Sequence, residues 1–284
     1  MEVFIRNKPY TGPVRGVVLD WAGTAVDHGS IGPVAVFLKV FEQFGVPVTT
    51  AEARRFMGVA KKDHIRQMCG LPSVQNRWMA HYGKAPTEKD IDRMYPEVER
   101  QMVAAIADSA VPIEGLMDTV TALRNRGIRI GSSTGYTAPM MAELVPAASD
   151  RGYAPDAVVC SSDVPAGRPF PWMCFQNAVK LEVYPMEAMV KIGDTVSDIA
   201  EGLNAGMWTI GVTRTGNELG LTAEETDKLP SKEVDERLSE ISQRFYEAGA
   251  HYTVEGIWAA APLIDAIESR LAEGEQPLSN RAPN

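Results

Sequence analysis

Cysteine is scarce in this chain: Cys69, Cys160 and Cys174 are the only three among 284 residues. An odd, widely spaced set with no pair at metal-ligand spacing argues against a disulfide scaffold and a thiolate metal site. Long apolar runs are missing too. The longest, Ile257 to Ile264, has eight residues and contains Pro262, whereas a membrane helix needs roughly 20. The opening Met1-Glu2-Val3-Phe4-Ile5-Arg6 lacks the basic stretch and apolar core of a secretory leader. Positive charge is not in surplus either: 28 Lys and Arg face 37 Asp and Glu, a net −9. That balance argues against a general nucleic-acid or anionic-membrane partner. Together these absences predict a soluble, cytoplasmic protein with no nucleic-acid and no membrane partner. What is present, 45% apolar and 23% charged residues, is ordinary globular composition. The length suits one large α/β domain or a core plus a smaller module.

Four short apolar runs each end at once in small or polar residues. Gly16-Val17-Val18-Leu19 leads into Asp20, and Ile128-Arg129-Ile130 into Gly131-Ser132-Ser133-Thr134-Gly135. Ala157-Val158-Val159-Cys160 leads into Ser161-Ser162-Asp163, and Met189-Val190-Lys191-Ile192 into Gly193-Asp194. Helix-period segments lie between them, such as Gly115 to Arg126, Pro139 to Arg151 and Pro169 to Leu181. Strands alternating with helices predict a parallel sheet with crossover helices. Ligands of such sheets sit beyond the carboxyl ends of the strands, the edge where these polar residues fall. From Ile31 to about Ser109 the alternation stops. Helical periodicity covers Val34–Phe44, Ser73–His81 and Thr87–Ala107, and Thr49 with Glu52 has the form of a capping box. We expect a core of residues 1–30 and 110–284 interrupted by a helical insert, 31–109. The residues after Gly274 read as a loose tail.

Taken singly, the polar residues at the strand ends have plain readings. Asp20 suits a helix cap or turn, Thr134 a turn, and Asp198 a cap for the helix that follows it. Taken together, an Asp, a Thr and the pair Asp194 and Asp198 reach one edge of one sheet. Such oxygen ligands suit a hard cation, Mg²⁺. In the insert, Met57, Lys61, His64 and Met68 are spaced to share one helix face, with Lys62 pointing elsewhere. A lysine in an apolar stripe usually snorkels to solvent. If buried instead, it loses its proton readily and becomes an amine nucleophile.

These motifs resemble the haloacid dehalogenase superfamily and, within it, the phosphonatase family, over almost the whole chain. The resemblance is carried by Asp20-Trp21-Ala22-Gly23-Thr24, Met57-Gly58…Lys61…His64 and Gly131-Ser132-Ser133-Thr134-Gly135-Tyr136. It continues through Asp163-Val164-Pro165-Ala166-Gly167-Arg168-Pro169 and Gly193-Asp194-Thr195. It implies an α/β fold, a Rossmann-like doubly wound parallel sheet with an inserted α-helical cap domain, and a homodimer. It also implies Mg²⁺ held by Asp20, the Ala22 carbonyl and Asp194, with Asp198 in support. Asp20 would attack phosphorus. Lys61 would form an imine with the aldehyde of phosphonoacetaldehyde, and His64 would shuttle protons. Met57 would pack around Lys61, Thr134, Gly135 and Arg168 would meet the phosphonate, and Tyr136 would shape the closed site. The products would be acetaldehyde and phosphate, in 2-aminoethylphosphonate degradation.

Two departures sharpen the reading. Phosphatases of the superfamily carry a second Asp two residues after the nucleophile, to protonate the leaving alkoxide; here that position is Ala22. Some members of the phosphonatase family have a cysteine where this chain has Ser30, so no thiol role is expected there. The rivals are a sugar-phosphate phosphatase or phosphomutase, which needs a substitute for the missing acid, and a catalytically idle core used for binding. A class I aldolase would share the lysine imine without needing Asp20 and Asp194. Charge is uneven along the chain: residues 218–247 carry a net −5, whereas 49–68, around Lys61, carry a net +3.

Overall fold

The computed structural model describes residues 9–278; residues 1–8 and 279–284 of the expected core and tail lie outside them. Six parallel strands form one sheet in the order β3-β2-β1-β4-β5-β6. They are β1 (Gly16–Leu19), β2 (Arg129–Thr134), β3 (Ala157–Cys160), β4 (Met189–Gly193), β5 (Trp208–Val212) and β6 (Tyr252–Val254). The central strands are buried on both faces, which is why they read as continuous apolar runs. Side chains alternate between those faces. Val17 and Leu19 join the larger hydrophobic cluster, whereas Val18 packs with Cys174, Ala178 and Leu181. The strand order is that of the doubly wound fold. It puts the chain reversal between β1 and β4, so the segments after these strands diverge and leave a crevice.

Five helices fill the segment expected as an insert after β1: α1 (Ile31–Gln43), α2 (Thr50–Arg54), α3 (Lys61–Cys69), α4 (Pro72–Tyr82) and α5 (Glu88–Ala105). Then come α6 (Leu116–Asn125), α7 (Ala138–Ser149), α8 (Trp172–Lys180), α9 (Val196–Asn204), α10 (Ala223–Asp227), α11 (Ser231–Glu247) and α12 (Ala261–Ala272). Thr49 and Glu52 form the capping box expected of them. Helix α1 begins three residues earlier than Val34, because Pro33 lies in its first turn, where a missing N–H costs nothing. Helix α5 ends at Ala105 and tightens into a 3-10 turn over Ile106–Ser109.

Three expectations need correction. Met57 does not share a helix with Lys61: α2 stops at Arg54, Gly58 turns the chain with φ +88°, and α3 starts at Lys61 itself. Strands β5 and β6 have no counterpart in the sequence reading. β6 spans only three residues, too few for a periodic signal, and two of them are partly exposed. The tail is anchored as far as Pro277, whose carbonyl is 2.7 Å from His251 Nε2, and Gln276 Nε2 donates to the Tyr10 carbonyl. The three cysteines are free and buried, as expected of small hydrophobes.

Candidate active site

The ends of β1, β2 and β4 converge on one buried cluster. Asp20 follows β1, and its backbone N–H donates to the Ile192 carbonyl of β4 at 2.9 Å. Asp194 follows β4; it accepts the Asn217 N–H at 2.7 Å and lies 3.3 Å from the Thr24 hydroxyl. Asp198 sits in the first turn of α9, where it closes a capping box with Thr195. Oxygen atoms of Asp20, Asp194 and Asp198 come within 4.8 Å of one another. Asp198 is the most committed of the three: it contacts Lys191 at 2.8 Å, Arg168 at 3.0 Å and the Thr195 hydroxyl at 2.5 Å.

Arg168 ties the cluster together. Its Nη2 donates to Asp20 Oδ1 at 2.6 Å and to the Ser133 carbonyl at 2.7 Å, while Nε donates to Glu201 at 3.0 Å. Its Nη1 crosses to the insert and donates to the Gly58 carbonyl at 3.2 Å. Lys191 and Glu201, both fully buried, complete the network, with Ser133 donating to Glu201. Sequence reasoning gave these two no role. The signals existed: Lys191 puts a charge inside an apolar strand, and Glu201 lies three residues beyond Asp198, one turn along α9.

Charge balance explains the protonation states. Four buried carboxylates (Asp20, Asp194, Asp198 and Glu201) meet two buried cations, Arg168 and Lys191, beside Lys61. Burial works against charge on Arg168, yet Asp198, Asp20 and Glu201 hold it protonated, and Asp198 does the same for Lys191. Burial also opposes ionisation of Asp198, but Arg168 and Lys191 overcome it and keep that carboxyl low. Asp194 absorbs the surplus: burial, Asp20 and Asp198 push its carboxyl well above the usual range. A divalent cation among these oxygens would take the place of that proton. The donor set fits Mg²⁺: carboxylate oxygens, no sulfur and no imidazole.

The insert faces this cluster with a lysine. Lys61 is the first residue of α3 and only 3% exposed. Its Nζ lies 4.8 Å from the centre of the Tyr136 ring and 5.9 Å from that of Phe37. Burial lowers its amine from 10.5 to about 8, helped by Arg168 and opposed by Asp20 and Asp194. His64 is fully buried, with Nε2 2.7 Å from the Ala53 carbonyl and its ring against Phe37. Burial and the Lys61 charge pull it down to about 3, so it is neutral. A neutral imidazole that donates from Nε2 keeps Nδ1 as a proton acceptor, and Nδ1 has no hydrogen-bond partner among the described residues. Lys62, by contrast, is exposed and pairs with Asp92 at 2.6 Å.

Asp20, Ala22, Met57, Lys61, Thr134, Gly135, Tyr136, Arg168 and Asp194 line one cavity of about 20 Å³. That is room for about one water. The insert seals it through a close backbone approach. A side chain on Gly135 would come within 2.5 Å of the Val59 carbonyl, so only glycine lets this strand-end loop meet the 57–60 turn. Tyr136, its phenol held neutral by burial, covers Lys61, and its N–H donates to the Thr134 hydroxyl.

A haloacid dehalogenase-like hydrolase family model matches residues 14–206. A protein of Syntrophobacter fumaroxidans named phosphonoacetaldehyde hydrolase is 55% identical over 277 residues, 98% of this chain and 100% of that protein. The chain belongs to the phosphonoacetaldehyde hydrolase family. Another family member, from Bacillus cereus, is 47% identical over 257 residues, 90% of this chain and 97% of its own length. The crystal structure of a phosphonoacetaldehyde hydrolase-like protein from Oleispira antarctica superimposes with a TM-score of 0.94 at 40% identity, covering 97% of this chain and 100% of the other. Membership makes this chain a hydrolase with a haloacid dehalogenase-like core.

Proposed function

We propose that this chain hydrolyses phosphonoacetaldehyde to acetaldehyde and phosphate, with Lys61 and Asp20 sharing the chemistry. One observation carries the reading: a buried lysine lowered to about 8 lines the same cavity as Asp20, while Ala22 supplies no acid. A phosphate ester needs its leaving oxygen protonated. A carbon leaving group needs somewhere to put an electron pair, and an imine on Lys61 supplies it.

In this reading the neutral Lys61 amine adds to the aldehyde and water departs, leaving a protonated imine. Asp20 Oδ attacks phosphorus. The carbon–phosphorus bond breaks and its electron pair moves into a new carbon–carbon double bond, neutralising the iminium as an enamine. Water then hydrolyses the aspartyl phosphate and releases phosphate. Protonation of the enamine carbon and addition of water release acetaldehyde and restore Lys61. His64, whose Nδ1 is a free acceptor, takes and returns the proton that moves during imine formation. Arg168 and the Thr134 hydroxyl bind phosphonate oxygens, and Tyr136 and Met57 keep the site dry. Asp20, the Ala22 carbonyl and Asp194 would hold Mg²⁺, with Asp198 fixing Arg168 behind them. The ion supplies positive charge where a carboxylate must approach an anion.

The helical segment 31–109 acts as a cap on the core. The substrate has seven non-hydrogen atoms and does not fit a cavity with room for one water, so the cap opens to admit it. The source of the aldehyde is a 2-aminoethylphosphonate pathway, and the working unit is a cytoplasmic homodimer. The test is product release: acetaldehyde and phosphate should form in equal amounts from phosphonoacetaldehyde and cease with EDTA. Faster hydrolysis of an ordinary phosphate ester would replace this reading with a phosphatase.

A further inference from the structure

We propose that Arg54 is a positioning residue, a latch that holds the cap closed and ties closure to the Asp194 carboxylate through Asn217. Arg54 ends α2, on the cap side of the cavity. Its Nη1 donates to the Gly29 carbonyl of the chain leading into α1 at 2.8 Å, and to Asn217 Oδ1 of the core at 3.1 Å. Asn217 answers with Nδ2 to the Arg54 carbonyl at 3.3 Å. The same Asn217 donates its backbone N–H to Asp194 at 2.7 Å. A single residue of the core thus grips the cap with its side chain and a site carboxylate with its backbone.

The surroundings are shaped for that guanidinium. Gly220 faces it so closely that a side chain there would come within 2.6 Å of Nε. The Gly29 N–H is held by the Thr215 carbonyl at 2.7 Å, so the linker, the 215–220 loop and the cap meet at one point. Asn217 is 4% exposed and Arg54 half-buried, so these bonds are partly shielded from water. A second bridge, Arg168 to the Gly58 carbonyl, joins the cap to the Asp20 side of the site. The two bridges make closure report to both carboxylates, and Arg54 supplies the one that comes from the cap.

This inference rests on the cap closure proposed above and not on the carbon–phosphorus chemistry, so its test uses no substrate. Amines of the intact protein are acylated with acetic anhydride and counted by peptide mass spectrometry. Lys61 reports opening; Lys191, fully buried in β4, reports unfolding. We expect Arg54→Ala and Asn217→Ala each to raise the labelling rate of Lys61 about 10-fold while Lys191 stays protected. Unchanged labelling of Lys61 in both variants would overturn the proposal. So would a parallel rise of Lys61 and Lys191, since Arg54 would then be a prop for the whole fold.

Discussion

At the scale of single residues, the account turns on Lys61. Its nearest neighbours are rings and a neutral histidine, and Asp20 and Asp194 offset only part of the desolvation, so the ammonium is disfavoured. In the proposed mechanism the amine acts only when neutral, and its neutral fraction shrinks as pH falls through about 8. The value of kcat/KM should therefore drop about 10-fold for each pH unit below that point. Lys61→Arg, which keeps the charge but cannot form an imine, should abolish turnover across the whole range, as read by phosphate release. The lysine was legible because it interrupts an apolar stripe, Asp20 and Asp194 because each directly follows a strand, and Thr134 because it ends one. Lys191 and Glu201 were not: a charge in a strand looks like a break in the pattern and a glutamate on a helix like a solvated face, until the buried Asp198 is seen beside the first and Arg168 beside the second.

Among secondary-structure elements, the site depends on how the 57–60 turn meets the β2 end. Gly135→Ala adds one methyl group that collides with the backbone of that turn. We expect about a 10-fold or greater loss of kcat/KM, because Lys61 starts the helix that the turn carries, with a melting temperature close to that of the parent protein. Steady-state assays beside thermal melts check this. The break between Met57 and α3 was hidden from sequence because the spacing of Met57, Lys61 and His64 fits a helix perfectly well. The positive φ of Gly58 is what divides the stripe, and glycine inside a periodic segment is only a weak warning. Strands β1 to β4 were legible as short apolar runs ending in polar residues, whereas the buried strand β5 and the three-residue edge strand β6 were not.

Across the whole molecule, burying the Lys61 amine in a dry site works against folding. The Lys61 amine sits at about 8 in the native state, below its ordinary 10.5. At pH 7 both states carry the ammonium, and the native state bears the cost of burying it. Between about 8 and 10.5 the unfolded chain binds the proton and the native one does not, so stability rises with pH across that window. Lys61→Met should consequently stabilise the protein at pH 7, by on the order of 3 kcal/mol, while removing activity. The gain should shrink towards pH 10.5, which denaturant titrations at several pH values will show. The parallel sheet could be read from alternation along the chain, and the run of helices after β1 from its interruption. What sequence could not reveal is that insert and core share one continuous hydrophobic cluster, running from Phe37 and Ile65 to Ile130 and Ile192.

The claim beneath all of this is that Lys61 bonds covalently to the substrate. Incubation with phosphonoacetaldehyde followed by borohydride reduction, digestion and mass spectrometry tests it most directly. The account predicts a two-carbon or phosphonoethyl group on Lys61 and loss of activity in proportion to its formation. Unmodified Lys61 in an enzyme that still releases acetaldehyde and phosphate would contradict it.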